Sequence, residues 1–194
     1  STAAAAHRAV APVTREAVLR RATEWLLAQQ DPDGGFGAAL EGTSASFRRE
    51  GWTGLALLAL LGDGASARDP ARRASIERGL AFLLERMEGE GAHAGLIGRA
   101  DDGAALFNHG FAATALLEGA QLLERGDLLD SARSASSYLV RTSTDPEARH
   151  AGRDPFTTVW STLAMVSGGA GEQGLDAGTK ERVLRALAER TDPE

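Results

Sequence analysis

The same pair of helical segments occurs three times in this chain, and this repetition constrains the fold more than any other feature. The first segment of each pair has an aromatic residue followed by leucine, and its copies span residues 22–30, 79–87 and 135–143. The second segment is rich in alanine and leucine, and its copies span residues 53–60, 109–116 and 158–165. Successive copies begin about 50 to 57 residues apart, the scale of a helical-hairpin repeat.

The hydrophobic pattern predicts an all-α fold built from these hairpins. Apolar residues recur at 3.6-residue spacing in the first segments, which is typical of amphipathic helices. The second segments are apolar on nearly every side, as in residues 52–61, and such helices are buried all round. We therefore expect an inner layer of apolar helices covered by an outer layer of amphipathic ones. At least about half of the chain should be helical, with negligible sheet.

Particular residues are assigned to this scheme. One shared position of the outer helices is aromatic and is predicted to lie in the core: Trp25, Phe82 and Tyr138. One shared position of the inner helices is alanine, where neighbouring helices should approach closely: Ala59, Ala115 and Ala164. Thr14 is expected to cap the first helix. In the DPDGGF turn, Phe36 should pack back on the outer layer, and Asp33 should accept hydrogen bonds from backbone N–H groups.

The chain is expected to hold one domain. Residues 14–190 contain the three hairpins and a last amphipathic helix near residues 179–188, and 194 residues are enough for one sizeable core. Residues 1–13 are rich in alanine without helical amphipathicity and are predicted to be a flexible segment. This segment fits either an artificially trimmed chain or the linker left after an export signal is removed. We favour the linker, which predicts an exported or periplasmic protein.

Composition excludes several functions. The formal net charge is −6, whereas nucleic acids and anionic membranes require a basic surface. The chain has no cysteine, which excludes disulfides, thiolate nucleophiles and zinc–cysteine sites. The longest strongly apolar run, residues 54–61, is far shorter than the roughly 20 residues of a membrane-spanning helix. We expect no cofactor, no nucleic-acid partner and no transmembrane segment.

The first hairpin carries a resemblance to a known family. Residues 26–36, LLAQQDPDGGF, resemble the QxxDGGF/W motif of the prenyltransferase and squalene-cyclase repeat, a terpenoid cyclase-like family. Residues 52–61, 107–118 and 154–165 are similar to three successive inner helices of bacterial repeat proteins in that superfamily, most of which have no assigned activity. The resemblance implies an α/α toroid with a central cavity. This chain has about half of the six hairpins of a full ring, so it implies a partial toroid.

The catalytic signatures of that family are incomplete here. Class II terpene cyclases use a DxDD motif in which one aspartic acid is held neutral to protonate an alkene. The nearest match is Arg99-Ala-Asp101-Asp102, where an arginine replaces the first aspartate. A cation there would lower the neighbouring carboxyl pKa values. Asp101 and Asp102 are more simply solvated turn residues. With His93 and His109 they could also form an oxygen–nitrogen metal site, although they lack regular ligand spacing.

A polar column marks the predicted starts of the inner helices and is the best candidate for a binding site. Its members and neighbours are Trp52, Thr53, Asn108, His109, Asp154, Thr158 and Trp160. Helix N-termini carry unpaired N–H groups, so several of them together would form a polar rim above an apolar wall. The alternative is that Thr53, Asn108 and Thr157 simply cap their own helices, and that His109 is likewise a cap.

Three functions are consistent with these observations. The leading hypothesis is a non-catalytic binding module whose concave inner-helix face takes a protein or a small apolar ligand. The second is half of an assembled terpenoid-cyclase or prenyltransferase-like enzyme, which a homodimer would complete. The third is a structural domain of a larger protein. The missing acid motif and the absence of cysteine favour the first and third.

Overall fold

The computed structural model describes residues 14–62 and 68–144, together with Glu181 and Arg185. These residues are 65% helical and contain no strand, which confirms the prediction of an all-α fold. The α-helices in these ranges are α1 (Arg15–Ala28), α2 (Arg49–Leu61), α3 (Pro70–Leu84), α4 (Ala105–Leu122) and α5 (Leu129–Thr144). Short 3-10 helices span Ala38–Leu40 and Gly126–Leu128. None of the described helices is both long and apolar enough to cross a membrane.

Side-chain caps start two of the outer helices. The Thr14 hydroxyl accepts a hydrogen bond from the N–H of Ala17 at 3.2 Å, which confirms the predicted cap of α1. The Asp69 carboxylate accepts from Ala71 at 2.9 Å, and Pro70 occupies the first turn of α3. Both arrangements satisfy N–H groups that have no partner within their own helix.

The inner helices begin earlier than their apolar runs. The repeated apolar segments start at residues 53 and 109, but α2 and α4 begin at Arg49 and Ala105. Neither helix has a capping side chain at its own N-cap residue. The N–H of Arg48 instead donates to the Asn108 side chain from α4, and that of Ala104 donates to Asp102. The additional first turn of α2 is thus supported by Asn108, which is distant in sequence, and that of α4 by Asp102 in the preceding loop.

The inner helices α2 and α4 lie side by side in parallel register. Gly51 faces Asn108, and Gly54 faces the backbone of Phe111 and Ala112. A Cβ added to Gly54 would lie 2.6 Å from the Phe111 carbonyl carbon, closer than real Cβ atoms come. The absence of a side chain at Gly54 is therefore what allows the two helix backbones to approach.

Burial is greater in the second described hairpin than in the first. In α4, 12 of the 18 residues are buried, whereas 7 of 13 are buried in α2 and none in α1. The core prediction is thus right for Phe82 and Tyr138, which are 1% and 8% exposed, but wrong for Trp25, which is 63% exposed. Among the described residues, only α3 and α5 have a preceding hairpin to cover their aromatic side chains.

The same trend corrects two expectations for the inner layer. The apolar helix at residues 52–61 is not buried on every side, because Ala59 is exposed and Leu55 and Leu58 are only partly buried. Ala115, at the position of α4 equivalent to Ala59, is fully buried. Ala164 lies outside the described residues, as does the rest of the third inner segment, residues 158–165.

Candidate functional site

The turn after α1 and the loop after α3 have the same backbone design. The first turn (residues 29–36) closes with a bridge between Gln30 and Phe36, and the second turn (residues 85–97) closes with a bridge between Met87 and Ile97. Glycines with positive φ, Gly34 and Gly95, allow the chain to reverse in the two turns. The repeat seen in the sequence is therefore also a repeat of tertiary structure.

Thr53 and His109 attach these turns to the inner helices. The N–H of Phe36 donates to the Thr53 hydroxyl at 2.9 Å, and the N–H of Ile97 donates to His109 Nδ1 at 3.0 Å. Both side chains are fully buried one turn inside their helices. Thr53 and His109 thus both hold a turn against an inner helix, one through a hydroxyl oxygen and the other through an imidazole nitrogen.

His109 performs this task as a neutral imidazole. Because Nδ1 accepts from Ile97, the ring proton lies on Nε2, which is 3.1 Å from the carbonyl oxygen of Ala135 in α5. Burial lowers the pKa of His109 to about 4, and the hydrogen bond to Ala135 acts in the opposite direction. His109 therefore joins the second turn to α5 without carrying a charge at neutral pH.

Asn108 connects the starts of the two inner helices. Its Oδ1 accepts from the N–H of Arg48 at 2.9 Å, and its Nδ2 donates to the carbonyls of Ser46 at 2.8 Å and Ala104 at 2.9 Å. The side chain is buried, with Gly51 against it leaving no room for a Cβ. Asn108 therefore accepts a hydrogen bond from Arg48, the N-cap residue of the neighbouring helix α2, and does not act as the N-cap of its own helix.

These positions refine the predicted binding column. Thr53, Asn108 and His109 lie inside the protein, so a ligand would have to displace an internal hydrogen bond to reach them. A binding role for these three residues stays a prediction. Capping of their own helices is wrong for Thr53 and Asn108, because the N-caps are Arg48 and Ala104. Trp52 is only half-buried. The other members of the column, Asp154, Thr158 and Trp160, lie outside the described residues.

An ion-pair network fixes the first turn against α2. Asp33 accepts two hydrogen bonds of 2.8 Å from Arg49, and Asp31 accepts one of 3.1 Å from the same guanidinium. The hydrogen bond from Arg49 lowers the pKa of Asp33 to about 2. Asp33 also accepts from the N–H of Gly35 at 3.1 Å, which confirms its predicted bond to the backbone. Phe36 is 3% exposed, as expected for a residue that packs the turn down.

A polar cleft of about 610 Å³ opens beside the starts of α2 and α4. Its charged lining consists of Glu41, Arg48, Arg49, Glu50, Arg86, Arg99, Asp101 and Asp102. Four arginines thus face four carboxylates, and the lining carries no net charge. Because many of these charges pair with one another, the cleft offers no concentrated positive surface for an anion.

The two aspartates considered for acid catalysis are both paired with arginine. Arg99 donates to Asp101 at 3.0 and 2.7 Å, and this hydrogen bond lowers the pKa of Asp101. Arg48 contacts Asp102 at 2.8 and 3.0 Å, so Asp102 is a half-buried ion-pair partner rather than a solvated turn residue. A carboxyl acid must be held neutral, and the Arg99 guanidinium beside Asp101 favours the charged form of that carboxyl instead.

The histidines near this region are engaged elsewhere. His93 is exposed and lies beside the Tyr138 hydroxyl, at 3.5 Å, while His109 is enclosed between the second turn and α5. Within the described ranges, no group of three or more histidine, aspartate or glutamate residues is placed to hold a metal ion.

An apolar groove of about 550 Å³ lies between α1, the first turn and α2. Its walls include Trp25, Leu26, Pro32, Phe36, Leu40, Trp52, Leu55, Ala56 and Ala59. Four of the five large apolar side chains found exposed in the described ranges are on α1 or the adjacent 3-10 helix: Val18, Leu19, Trp25 and Leu40. Of these four, Trp25 and Leu40 line the groove, whereas Val18 and Leu19 lie on α1 outside it.

An aromatic cluster supports the groove from behind. The Trp52 ring stacks on Phe47 with ring centroids 4.3 Å apart, and Phe47 packs in turn against Phe107 and Phe111. Gly37 lies against the Trp52 ring, where a Cβ would come within 2.8 Å. These contacts fix the orientation of Trp52, so the indole is a preformed part of the groove wall.

The fold and site define a class of protein, an all-α protein of stacked helical hairpins with an apolar groove at its first hairpin. Comparison with known protein families, with curated proteins and with solved structures finds no match to this chain. The groove itself was missed by sequence reasoning, which placed Trp25 in the core. The repeat carries no signal that distinguishes Trp25 from Phe82, because the two residues occupy the same position in it.

Proposed function

We propose that this chain is a non-catalytic binding module that takes a protein or a small apolar ligand in its apolar groove. The observation that carries the proposal is the exposure of Trp25, which is 63% accessible beside a groove lined by Leu55 and Ala59. Contiguous exposed apolar surface of this kind marks an interaction site more often than a neutral part of the surface.

Burial of Trp25 would contribute substantially to the free energy of binding. A tryptophan buries about 150 to 250 Å² on full burial, and somewhat more than half of the residue is exposed here. Removing about 100 to 150 Å² from water stabilises a complex by about 3 kcal/mol at 25 cal/mol per Å². Trp52 adds a rigid aromatic wall to the same groove.

The arrangement of charges supports a non-catalytic role. Asp101 and Asp102, the residues nearest to an acid motif, are each bound to an arginine. His109, the one titratable side chain on α4 with a strongly shifted pKa, is fully buried and hydrogen-bonded on both ring nitrogens. The ion pair of Asp102 and the burial of His109 leave both poorly placed to transfer a proton to a ligand, and Arg99 lowers the pKa of the exposed Asp101.

We also propose that the hairpins form part of an α/α toroid of the prenyltransferase and squalene-cyclase type. The support is the DPDGGF turn together with its recurrence as a second turn built on the same bridge. Parallel packing of α2 and α4 is consistent with an inner layer of such an array. The proposal concerns architecture, because fold alone does not determine activity.

A neutral apolar dye tests the binding proposal. Nile red should bind the dilute protein with increased fluorescence, and Ala59→Glu should weaken the affinity at least about tenfold by placing a charge in the groove. Ala59 is exposed on α2, so this variant should keep the helical circular dichroism of the parent. Ala81→Glu makes the same change on the exposed face of α3 and should bind like the parent.

The two variants separate the groove from other apolar surfaces. Equal dye affinity in the parent, Ala59→Glu and Ala81→Glu would refute the groove as the binding site. Loss of binding in both variants would show an effect of net charge rather than of position, and would equally count against the proposal.

A further inference from the structure

Among the described residues that line the apolar groove, only Asp31 is charged. The other side chains of the lining are apolar apart from two neutral amides, Gln29 and Gln30. Gln30 is used inside the protein, because its Nε2 donates to the carbonyls of Gly34 and Ser75, each at 2.8 Å. Gln29 is exposed. The electrostatic character of the groove is therefore set by one carboxylate of the first turn.

The carboxylate of Asp31 is only partly used within the fold. Its Oδ2 accepts hydrogen bonds from the N–H of Ala38 at 3.0 Å and from Arg49 at 3.1 Å. These are the hydrogen bonds that the described residues make to this carboxylate, and both go to Oδ2. The side chain is 24% exposed. An ionised carboxylate accepts through both oxygens, so Oδ1 keeps the capacity to accept from a bound group.

Arg49 does not cancel the charge of this turn. Its guanidinium is shared between two carboxylates, with two hydrogen bonds of 2.8 Å to Asp33 and one of 3.1 Å to Asp31. Arg49 lines the polar cleft and is not among the described residues that line the groove. The two aspartates and the arginine together are negative, and the net charge of −6 on the chain adds a general attraction for cations.

We propose that the groove binds a small amphipathic amine, whose apolar body packs against Trp25, Trp52 and Leu55 and whose ammonium donates to Asp31 Oδ1. The inference rests on the proposed binding function and names the chemical class of the ligand. A volume of about 550 Å³ is in the range of small-molecule sites. An ammonium has donors and no acceptor, which matches the free capacity of Oδ1, whereas an anionic ligand would meet a like charge.

The aromatic wall of the groove suits the same ligand. An ammonium placed beside apolar surface is costly unless it is paired, and Asp31 supplies the pairing. The ring faces of tryptophan also attract cations. Trp25 is 63% exposed, and Trp52 is held in place by stacking on Phe47 at 4.3 Å between ring centroids. The groove therefore combines a hydrophobic surface with one acceptor for a positive charge.

Displacement of Nile red by three matched compounds tests the proposal on the full chain. Decylamine, decanol and decanoate share one alkyl chain and carry a positive, a neutral and a negative head group at pH 7. Each is titrated below the concentration at which it forms micelles. Decylammonium should bind at least about fivefold more tightly than decanol, because its ammonium forms a charge-assisted hydrogen bond. Decanoate should bind more weakly than decanol.

Two aspartate variants separate Asp31 from the general charge of the turn. Asp31→Asn keeps an oxygen acceptor for Ala38 and Arg49 but removes the charge, so decylammonium and decanol should then bind within about twofold of each other. Asp33→Asn is the matched control, because Asp33 also binds Arg49 but is not among the described residues that line the groove. This control should keep the preference of the parent. Circular dichroism checks that both variants are folded.

The possible failures are distinguishable. Equal affinities of decylammonium and decanol for the parent would overturn the assignment of a cationic ligand. A preference that Asp31→Asn retains, or that Asp33→Asn removes as completely, would overturn it as well. Decanol binding that Ala59→Glu weakens would in each of these cases leave the proposed binding function standing. Nile red fluorescence that is unaffected by Ala59→Glu and by all three compounds would remove both proposals.

Discussion

Replacing Gly54 with alanine should destabilise the protein even though alanine is the better helix former. In an open helix the substitution stabilises by about 1 kcal/mol. Here the new Cβ would lie 2.6 Å from the carbonyl carbon of Phe111 and 2.7 Å from the amide nitrogen of Ala112. Both are backbone atoms that cannot rotate away, so α2 and α4 would have to separate by most of an ångström. Overpacking of this kind costs about 1 to 3 kcal/mol, and more where backbone must move.

Because both clashing atoms are backbone atoms, we take the upper half of this range, about 2 to 3 kcal/mol; subtracting the gain in helix propensity leaves a net loss of about 1 to 2 kcal/mol, or a fall in melting temperature of roughly 2 to 8 °C. Urea denaturation followed by circular dichroism measures it. Gly126→Ala is the matched control, because a Cβ at Gly126 meets nothing within 4 Å. The control should be neutral or slightly stabilising. The close approach of α2 and α4 would be refuted if Gly54→Ala were as stable as the parent.

Two further predictions concern the buried side of the structure. Burial lowers the pKa of His109 from 6.5 to about 4, so the unfolded chain takes up a proton at a higher pH than the folded chain. The contribution of neutral His109 to the free energy of unfolding should therefore be fully present above about pH 6.5. It should fall by about 3 kcal/mol as the pH decreases from there to pH 4. Urea midpoints across this window measure the loss, and His109→Gln should flatten the slope; an unchanged slope would show that another group titrates. Ala115→Leu should cost roughly 1 to 3 kcal/mol by overpacking, whereas Ala59→Leu at the equivalent exposed position should cost little. Equal costs for the two leucine variants would contradict the difference in burial between α2 and α4.

The candidate site illustrates how far sequence reasoning reaches. The shared position of Thr53 and His109 was visible in the repeat and indicated a common role. Its nature was not visible, because the partners are the backbone N–H groups of Phe36 and Ile97, 17 and 12 residues away. A threonine and a histidine suggest an exposed polar rim when their neighbours are unknown. In the folded protein Thr53 and His109 each accept a buried hydrogen bond, so their side chains hold the two turns against the inner helices.

Asn108 shows the same limitation at a helix start. A polar residue ahead of an apolar run is a normal cap signal, and capping of its own helix was the alternative role considered for Asn108. The helix begins at Ala105 instead, and the Asn108 side chain serves Arg48, 60 residues earlier. Local pattern cannot predict such a bond, because it depends on the parallel register in which α2 and α4 meet.

The sequence by itself determined the helical character, the repeated hairpins and the chemistry of the first turn. These follow from short-range rules, since 3.6-residue periodicity, breaker clusters and aspartate in a glycine turn act through neighbours in the chain. The tertiary structure alone decided which equivalent residues are buried. Trp25 and Phe82 occupy the same position of the repeat, yet one is 63% exposed and the other 1%. Burial depends on what packs against a face, and a described hairpin covers the face of α3 while none covers that of α1.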